Sequence, residues 1–290
     1  MSKYVIVSDA TLDLPYDIIQ KHDIHVIPMV FDVDEMTYTH YPDERELSIE
    51  DFYGKIKAGS VSKSSQITPH TYQEFLGTIL EQGYDVLYIC FTSGLSGTFN
   101  SAKLAFEMLQ EDYPERKLIC IDSLCASIGE GVLVLNAALK KEEGYSIDEL
   151  ADWVTNHRHN ARHWFTVKDL FHLKRGGRVS GIEALVGTAL KIHPVLSVDE
   201  QGKLTVISKV RGSKKVLEFL FNKLVEEGID TKEQTIIVAH GDSLEQAEQL
   251  ADMIRNAGLV KEIIISKIGP IIGTHTGPGM LALTFLGRSE

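Results

Sequence analysis

The sequence predicts an α/β protein in two parts: an N-terminal, largely parallel sheet with flanking helices and a C-terminal mixed sheet with helices. Three observations carry this expectation. Apolar runs rich in Val and Ile recur with helix-like stretches between them, the pattern of a parallel sheet covered on both faces. "DEQGK", residues 199–203, is a turn between two adjacent runs, so at least one antiparallel pair is expected. Finally, 290 residues favour two domains of ordinary size. The strand–helix alternation breaks near Asn156 to Arg162, which sets the expected domains at 1–157 and 158–290.

The strand candidates, in order, are "KYVIVS", "HVIPMVF", "DVLYICF", "KLICID", "HPVLSV", "LTVISKV", "TIIVAH" and "EIIISKI". Several helices announce their starts. Thr68 offers a capping hydroxyl ahead of Pro69, a residue suited to the first helical position. Another helix is expected from about Thr98. Ser146 with Glu149 and Ser243 with Gln246 read as capping boxes. Gly228 and Gly258 follow long amphipathic stretches, as C-terminal caps do. "FTVKDLFHLKRGGRVSG" opens the second part with a short helix that ends in glycines.

Composition removes several function classes. The net charge of −12 argues against nucleic acid as a partner, because phosphates need a basic surface. No run approaches the roughly 20 apolar residues of a membrane helix, and the first residues, "MSKYVIVSDATLDLP", are too polar for a secretory signal. Three cysteines with apolar neighbours fit free thiols in a reducing cytoplasm. "NHRHNARH" sets His159 and His163 four apart without a carboxylate or Cys to complete a set, so an exposed helix end and no metal are expected.

Small polar residues gather in three places. In "DVLYICFTSGLSGTFNSA" a strand runs into Thr92, Ser93, Ser96 and Thr98, with Gly94 and Gly97 between them. Hydroxyls at a strand end, followed by the free amides of a helix start, make either an anion cradle or a plain N-cap. The P-loop and G-x-G-x-x-G patterns are absent, and Thr98 stands where a nucleophile elbow needs Gly. "SVSKSSQITPH" is a second hydroxyl cluster, and "KIGPIIGTHTGPGML" frames His275 with glycines and prolines. Basic residues also collect at Lys174 to Arg178, at Lys191 and at Lys209 to Lys215, either a solvated charge run or a docking surface for an acidic partner.

Taken together and in order, "VSDATLDLP", "SKSSQITP", "TSGLSGTFNSA", "IDSLCASIGEG", "LKRGGRVSG", "KVRGSKK" and "IGTHTGPG" resemble the DegV family of bacterial fatty-acid-binding proteins over essentially the whole chain. The resemblance implies two α/β domains and a long-chain fatty acid, such as palmitate or oleate, in an apolar tunnel. It implies no cofactor and no chemistry by the protein itself, but presentation of the acid to a separate fatty acid kinase for phospholipid synthesis. Ser64 falls where the family commonly has Thr, Ser96 on the serine of its L-S-G-T stretch and His275 on the histidine of its H-x-G-P-G loop. These three are the expected carboxylate ligands, with Lys63 as the nearest added charge and Thr98 as the helix cap. Phe91, Phe99, Met29, Ile128, Leu185, Leu190 and Ile272 are candidate tunnel residues. Arg178 and Arg211 are candidates to meet the kinase, and transient contact with a membrane surface fits a lipid carrier. The competing enzyme reading is a serine hydrolase using Ser96 and His275, with Asp9 to orient the histidine. A phosphate- or nucleotide-binding regulator is a third.

Overall fold

The computed structural model describes residues 3–168, 170–179 and 192–288. The N-terminal half runs β1 (Tyr4–Asp9), α1 (Tyr16–Lys21), β2 (Ile24–Ile27), β3 (Met29–Val33), β4 (Met36–His40), α2 (Ile49–Lys57), β5 (Ser62–Ser64) and α3 (Pro69–Glu81). It continues with β6 (Asp85–Cys90), α4 (Thr98–Asp112), β7 (Leu118–Asp122), α5 (Ile128–Glu142) and α6 (Ile147–His157). The C-terminal half holds β8 (Ala161–Thr166), α7 (Phe171–Gly176), β9 (Ile192–Val198), β10 (Leu204–Arg211) and α8 (Ser213–Glu227). It ends with β11 (Thr235–Gly241), α9 (Leu244–Asn256), β12 (Glu262–Lys267), α10 (Pro270–Thr276) and β13 (Met280–Leu286).

The expected α/β class is present. An all-parallel sheet has the order β2-β1-β6-β7, and a mixed sheet has the order β10-β9-β8-β13-β11-β12, with only β11 and β12 paired in parallel. The "DEQGK" turn joins β9 to β10 as an antiparallel pair, with the Asp199 carboxylate accepting from the amides of Gln201 and Lys203. "HVIPMVF" is not one strand. Pro28 lacks the N–H a ladder needs, so the run breaks into β2 of the parallel sheet and β3 of a separate antiparallel sheet, ordered β4-β3-β5. The caps at Thr68 and Ser146 form as expected. Ser243 does not cap α9: its hydroxyl turns to Gln246 Oε1. His163 is not at an exposed helix end. It lies buried within β8, and His159 sits in a single 3₁₀ turn before it, so the two share no helix face.

The centre of the molecule is α5. Ile128 to Leu135, Ala137 and Ala138 are all buried, so the first three turns of the helix are enclosed on every side. It packs against β1 and β6 on one side and β8, β11 and β13 on the other. One apolar cluster therefore runs through both halves, from Ile6 and Leu87 past Val132 and Leu133 to Phe165, Leu196 and Ala239. Two glycines permit this approach. A Cβ on Gly129 would stand 1.7 Å from His163 Nε2, and one on Gly131 would stand 2.5 Å from the Leu12 carbonyl oxygen. In that space His163 accepts a hydrogen bond from Ala126 N at 3.2 Å, tying β8 to the loop before α5.

A second tie is Asp13. Its carboxylate accepts from Gly269 N at 2.8 Å and from Ser127 Oγ at 2.5 Å, while Ser266 donates to its backbone carbonyl. Burial raises the Asp13 carboxyl from the ordinary 3.8 to about 7. The folded chain thus holds this proton more tightly than the unfolded chain. The resulting stabilisation is full below about pH 4 and is lost as pH rises through 7. Three histidines, two of them buried and His275 half-buried, act in the opposite sense. His40, His163 and His275 are held down at about 4, so they lower stability as pH falls from 6.5. Asp13→Asn keeps an acceptor for Gly269 and offers an amide to Ser127. The variant should therefore gain stability relative to the parent as pH rises from about 4 to 7, with a constant gap above. Urea midpoints across that range test this, because the histidine contribution cancels in the difference; a gap independent of pH would refute it.

Candidate functional site

Between the two large sheets, beside the start of α5, lies a cavity of about 300 Å³, the lower end of small-molecule pockets. Met29, Phe91, Ile128, Leu173, Ile271, Ile272 and Met280 contribute apolar walls. Ser64, Gln66, Ser96, Gly97, Arg178 and His275 also line it, and a chain of contacts holds these polar residues together.

The loop after β6 is the first support. Thr92 Oγ1 donates to the Gly202 carbonyl at 3.0 Å and accepts from Gly94 N at 3.1 Å. Asp122 accepts from the amides of Ser93 and Leu124. Gly94 has no room for a side chain, since a Cβ there would stand 2.6 Å from the carbonyl oxygens of Gln201 and Gly202 in the β9–β10 turn. The C-terminal half thus braces an N-terminal loop. Ser96 Oγ accepts from Thr98 N at 3.2 Å and lies 2.9 Å from Thr98 Oγ1. It is therefore Ser96, and not Thr98 as expected, that satisfies an amide at the start of α4. Gly97 closes against Gln66, whose Oε1 lies 2.3 Å from where a Cβ would be.

Ser64 stands at the end of β5, and its Oγ lies 2.8 Å from His275 Nε2. The "IGTHTGPG" segment is not the loop its composition suggests. Pro270 opens a short helix, α10, and His275 occupies its last turn before Gly277 at φ 69°. The other ring nitrogen, Nδ1, is buried without a partner and packs on Gly176, where a Cβ would come within 2.3 Å. Burial, then Arg178 and Arg175, pull the imidazole down to about 4, so it is neutral at physiological pH. Arg178 is exposed, and its guanidinium donates to the carbonyls of Leu95, at 3.3 Å, and Gly176. Two serine hydroxyls, the Gly97 backbone just ahead of a fifteen-residue helix, a neutral imidazole and an arginine thus line one end of an apolar space. Such a set suits one small anion.

Ser64, Ser96, His275 and Arg178 therefore share one cavity, whereas Arg211, at the end of β10, does not line it. Lys63 is exposed and is not a lining residue. Met29, Phe91, Ile128 and Ile272 line the cavity and Phe99 does not; Leu185, Leu190 and Lys191 lie outside the described residues. Gln66 and Ser65, inside "SKSSQITP", and Leu173, inside "LKRGGRVSG", were in view in the sequence without being assigned to the site. The hydrolase arrangement is not assembled. His275 meets Ser64 and not Ser96, no carboxylate pairs with its Nδ1 among the described residues, and Asp9 is engaged by Tyr88 and Phe91 N elsewhere. No group of three His, Cys, Asp or Glu among the described residues is placed to hold a metal.

Comparison with known proteins gives one consistent result. The family model described as "uncharacterised protein, DegV family" matches residues 3–288. The chain is 41% identical over 290 residues to a DegV domain-containing protein of Clostridium perfringens, spanning 100% of this chain and 99% of that one. A DegV lipid-binding protein of Thermotoga maritima superposes with a TM-score of 0.85 at 30% identity, over 99% of each chain. DegV of Bacillus subtilis, described as a fatty acid binding protein, gives 0.85 at 29% identity, over 99% of this chain and 100% of that one.

The contact of Gly176 with the His275 ring makes a specific expectation. Gly176→Ala should push the imidazole out of its place, lengthen its contact with Ser64 and restore part of its hydration. In an NMR titration the His275 ring of the parent should stay neutral to about pH 4, while that of the variant should protonate closer to the ordinary 6.5. Unchanged titration would mean that the glycine does not set the ring's position.

Proposed function

The chain belongs to the DegV family, and from that membership we propose that it binds a long-chain fatty acid, with the acyl chain in the cavity and the carboxylate at Ser64, Ser96 and His275. The observation that carries this reading is the pairing of apolar walls with one convergent polar end. A buried CH₂ is worth about 0.8 kcal/mol, so a chain of about sixteen carbons gains on the order of 12 kcal/mol before ordering costs. Chain burial then supplies most of the affinity, and the polar end fixes direction. Arg178 belongs to this reading as the cation that faces the carboxylate at the mouth, which moves it from the docking role toward the ligand.

The finer step is presentation of the exposed carboxyl to a fatty acid kinase, which transfers the terminal phosphoryl group of ATP to a carboxylate oxygen and yields acyl-phosphate and ADP. In that step this protein holds and orients the acid and does no chemistry. Arg211, in the basic run after β9, remains the docking candidate. The hydrolase reading has no support from the geometry: Ser64 has an imidazole partner, but no carboxylate pairs with the ring's Nδ1 among the described residues, and two arginines oppose the imidazolium that a general base must become.

Mass spectrometry of an organic extract of purified protein should find a bound fatty acid. Ser96→Ala should weaken binding roughly ten- to hundredfold, the range for one hydrogen bond to a charged group, and Arg178→Gln, at an exposed cation, by about fivefold or less. Arg211→Glu should leave binding unchanged and slow phosphorylation by the kinase. Protein that carries no acid and takes up neither labelled palmitate nor labelled oleate overturns the proposal, and labelling of Ser64 or Ser96 by a fluorophosphonate would restore the hydrolase.

A further inference from the structure

Behind the cavity wall, Glu130 is fully buried in α5, one residue after the glycine that receives His163. Among the described residues only hydroxyls meet its carboxyl oxygens: Ser8 Oγ lies 2.8 Å from Oε1 and Thr11 Oγ1 lies 2.7 Å from Oε2. Each hydroxyl has a second neighbour. Ser8 Oγ is 3.0 Å from the Ile89 carbonyl oxygen, and Thr11 Oγ1 is 2.5 Å from Asp9 Oδ1. A hydroxyl carries one proton, whereas a carbonyl and an ionised carboxylate carry none. The Ser8 proton can serve Glu130 Oε1 or the Ile89 carbonyl, but Thr11 Oγ1 stands between two carboxyls with one proton for two short contacts. The second of these needs a further proton, and only a carboxyl can supply it.

The choice between the two carboxyls follows from the donors around Asp9. It accepts from the backbone amides of Thr11 at 3.1 Å and Phe91 at 3.2 Å, and from the Tyr88 hydroxyl at 2.8 Å. An amide N–H cannot reverse its role, so Asp9 sits in a cradle built for an anion. No amide reaches Glu130. We propose that Glu130 is a protonated, neutral acid in the folded protein, donating to Thr11, which donates in turn to an ionised Asp9, so that one proton locks α5 to β1 beside the cavity.

The groups facing this pair agree. They are the Asp13 carboxyl, the thiols of Cys90 and Cys125, and, across Gly129, the neutral ring of His163; no Lys or Arg pairs with Glu130 among the described residues. Burial first, and the charge of Asp9 next, push the Glu130 carboxyl far above its ordinary range. If the proton were lost, Thr11 would stand between two anions with one proton to share. Because Thr11 also lines the cavity, its hydroxyl is committed inward for as long as Glu130 keeps its proton.

Infrared spectroscopy and two substitutions test this. At about pH 9, where the Asp13 carboxyl has ionised, the parent should still show the carbonyl stretch of a neutral carboxylic acid, and Glu130→Gln should remove it. A glutamine amide donates as the protonated acid does, so this variant should stay folded with a thermal midpoint near the parent's and should gain on the parent as pH rises. The sign is that of a raised carboxyl, which stabilises at low pH and less as pH rises. Asp9→Asn should be far more damaging, because its amide would confront donors. Should it not fold, the infrared comparison of parent and Glu130→Gln still decides. Absence of the neutral-acid band in the parent, its persistence in Glu130→Gln, or a mild Asp9→Asn beside a severe Glu130→Gln would each overturn the assignment.

Discussion

A helix whose first three turns have no exposed face is the constraint from which the rest of this structure follows. From Ile128 to Ala138, α5 is enclosed between the two large sheets, so the groups along those turns must be apolar, absent or hydrogen-bonded. Val132 to Leu135 answer with apolar surface. Gly129 and Gly131 answer by absence, letting His163 and the Leu12 carbonyl close on the helix axis. Glu130, placed between those glycines, is answered by Ser8 and Thr11 of the first strand and the loop after it. The short run "SIGEG" is thus the point where the two halves are fitted to one another.

The same fitting makes the cavity. To enter α5 the chain passes Ser127 at φ 54° and ψ −137°, a backbone region that costs a non-glycine residue about 1–3 kcal/mol. The bond from Ser127 Oγ to Asp13, together with Asp13's bond to Gly269 N, holds it there. Both Ser127 and Ile128 line the cavity. Part of its wall is therefore the outer surface of the contacts that join the halves, while α7 and α10 add Leu173, Ile271 and Ile272, and β5, the loop before α4, the segment after α7 and His275 of α10 add the polar end. This arrangement keeps most polar lining groups from acting on a ligand. Thr11, His163, Thr276 and Thr284 are each already bonded to carboxyl or backbone, which leaves an interior that behaves as apolar despite its composition.

What the sequence made legible were features whose cause is local. Alternation of apolar runs with capped helices led to the α/β class, and the "DEQGK" turn to the antiparallel β9–β10 pair. Thr68 and Ser146 could be assigned as caps because a cap needs only three or four neighbouring residues. Features set by distant contacts were misread. Pro28 is a local breaker, but that the chain beyond it starts a second sheet depends on β4 and β5, which are short and polar at one face. His163 looked like an exposed residue because the space for it lies in Gly129, thirty-four positions earlier. His275 looked like a loop residue because glycine and proline content hides the two turns of α10 that position it. Ser64, Ser96 and His275 were grouped by family resemblance. That they line one cavity depends on three elements meeting, which no local pattern encodes.

The charge distribution bears on how a bound acid would be held. The chain carries twelve more acidic than basic side chains, and its buried carboxyls at Asp9, Asp13 and Glu130 lie on the N-terminal side of the cavity. With Glu130 neutral, Asp9, and Asp13 above about pH 7, are the ones that tend to repel an anion. At the polar end the opposing groups are neutral hydroxyls and an uncharged imidazole, with Arg178 exposed beside them. A hydrogen bond from a neutral donor is weaker than one from a buried cation, and an exposed arginine is screened by solvent and salt. Under the proposed function, the free energy of binding therefore resides in the apolar walls, where it is indifferent to the chemistry of the head group. Converting the carboxylate to a bulkier, more highly charged acyl-phosphate would alter only the weak, exposed end of the complex. A carrier that clamped its ligand by the carboxylate would lose its grip at that step, or would resist it; one that holds the chain can keep the acid through the reaction.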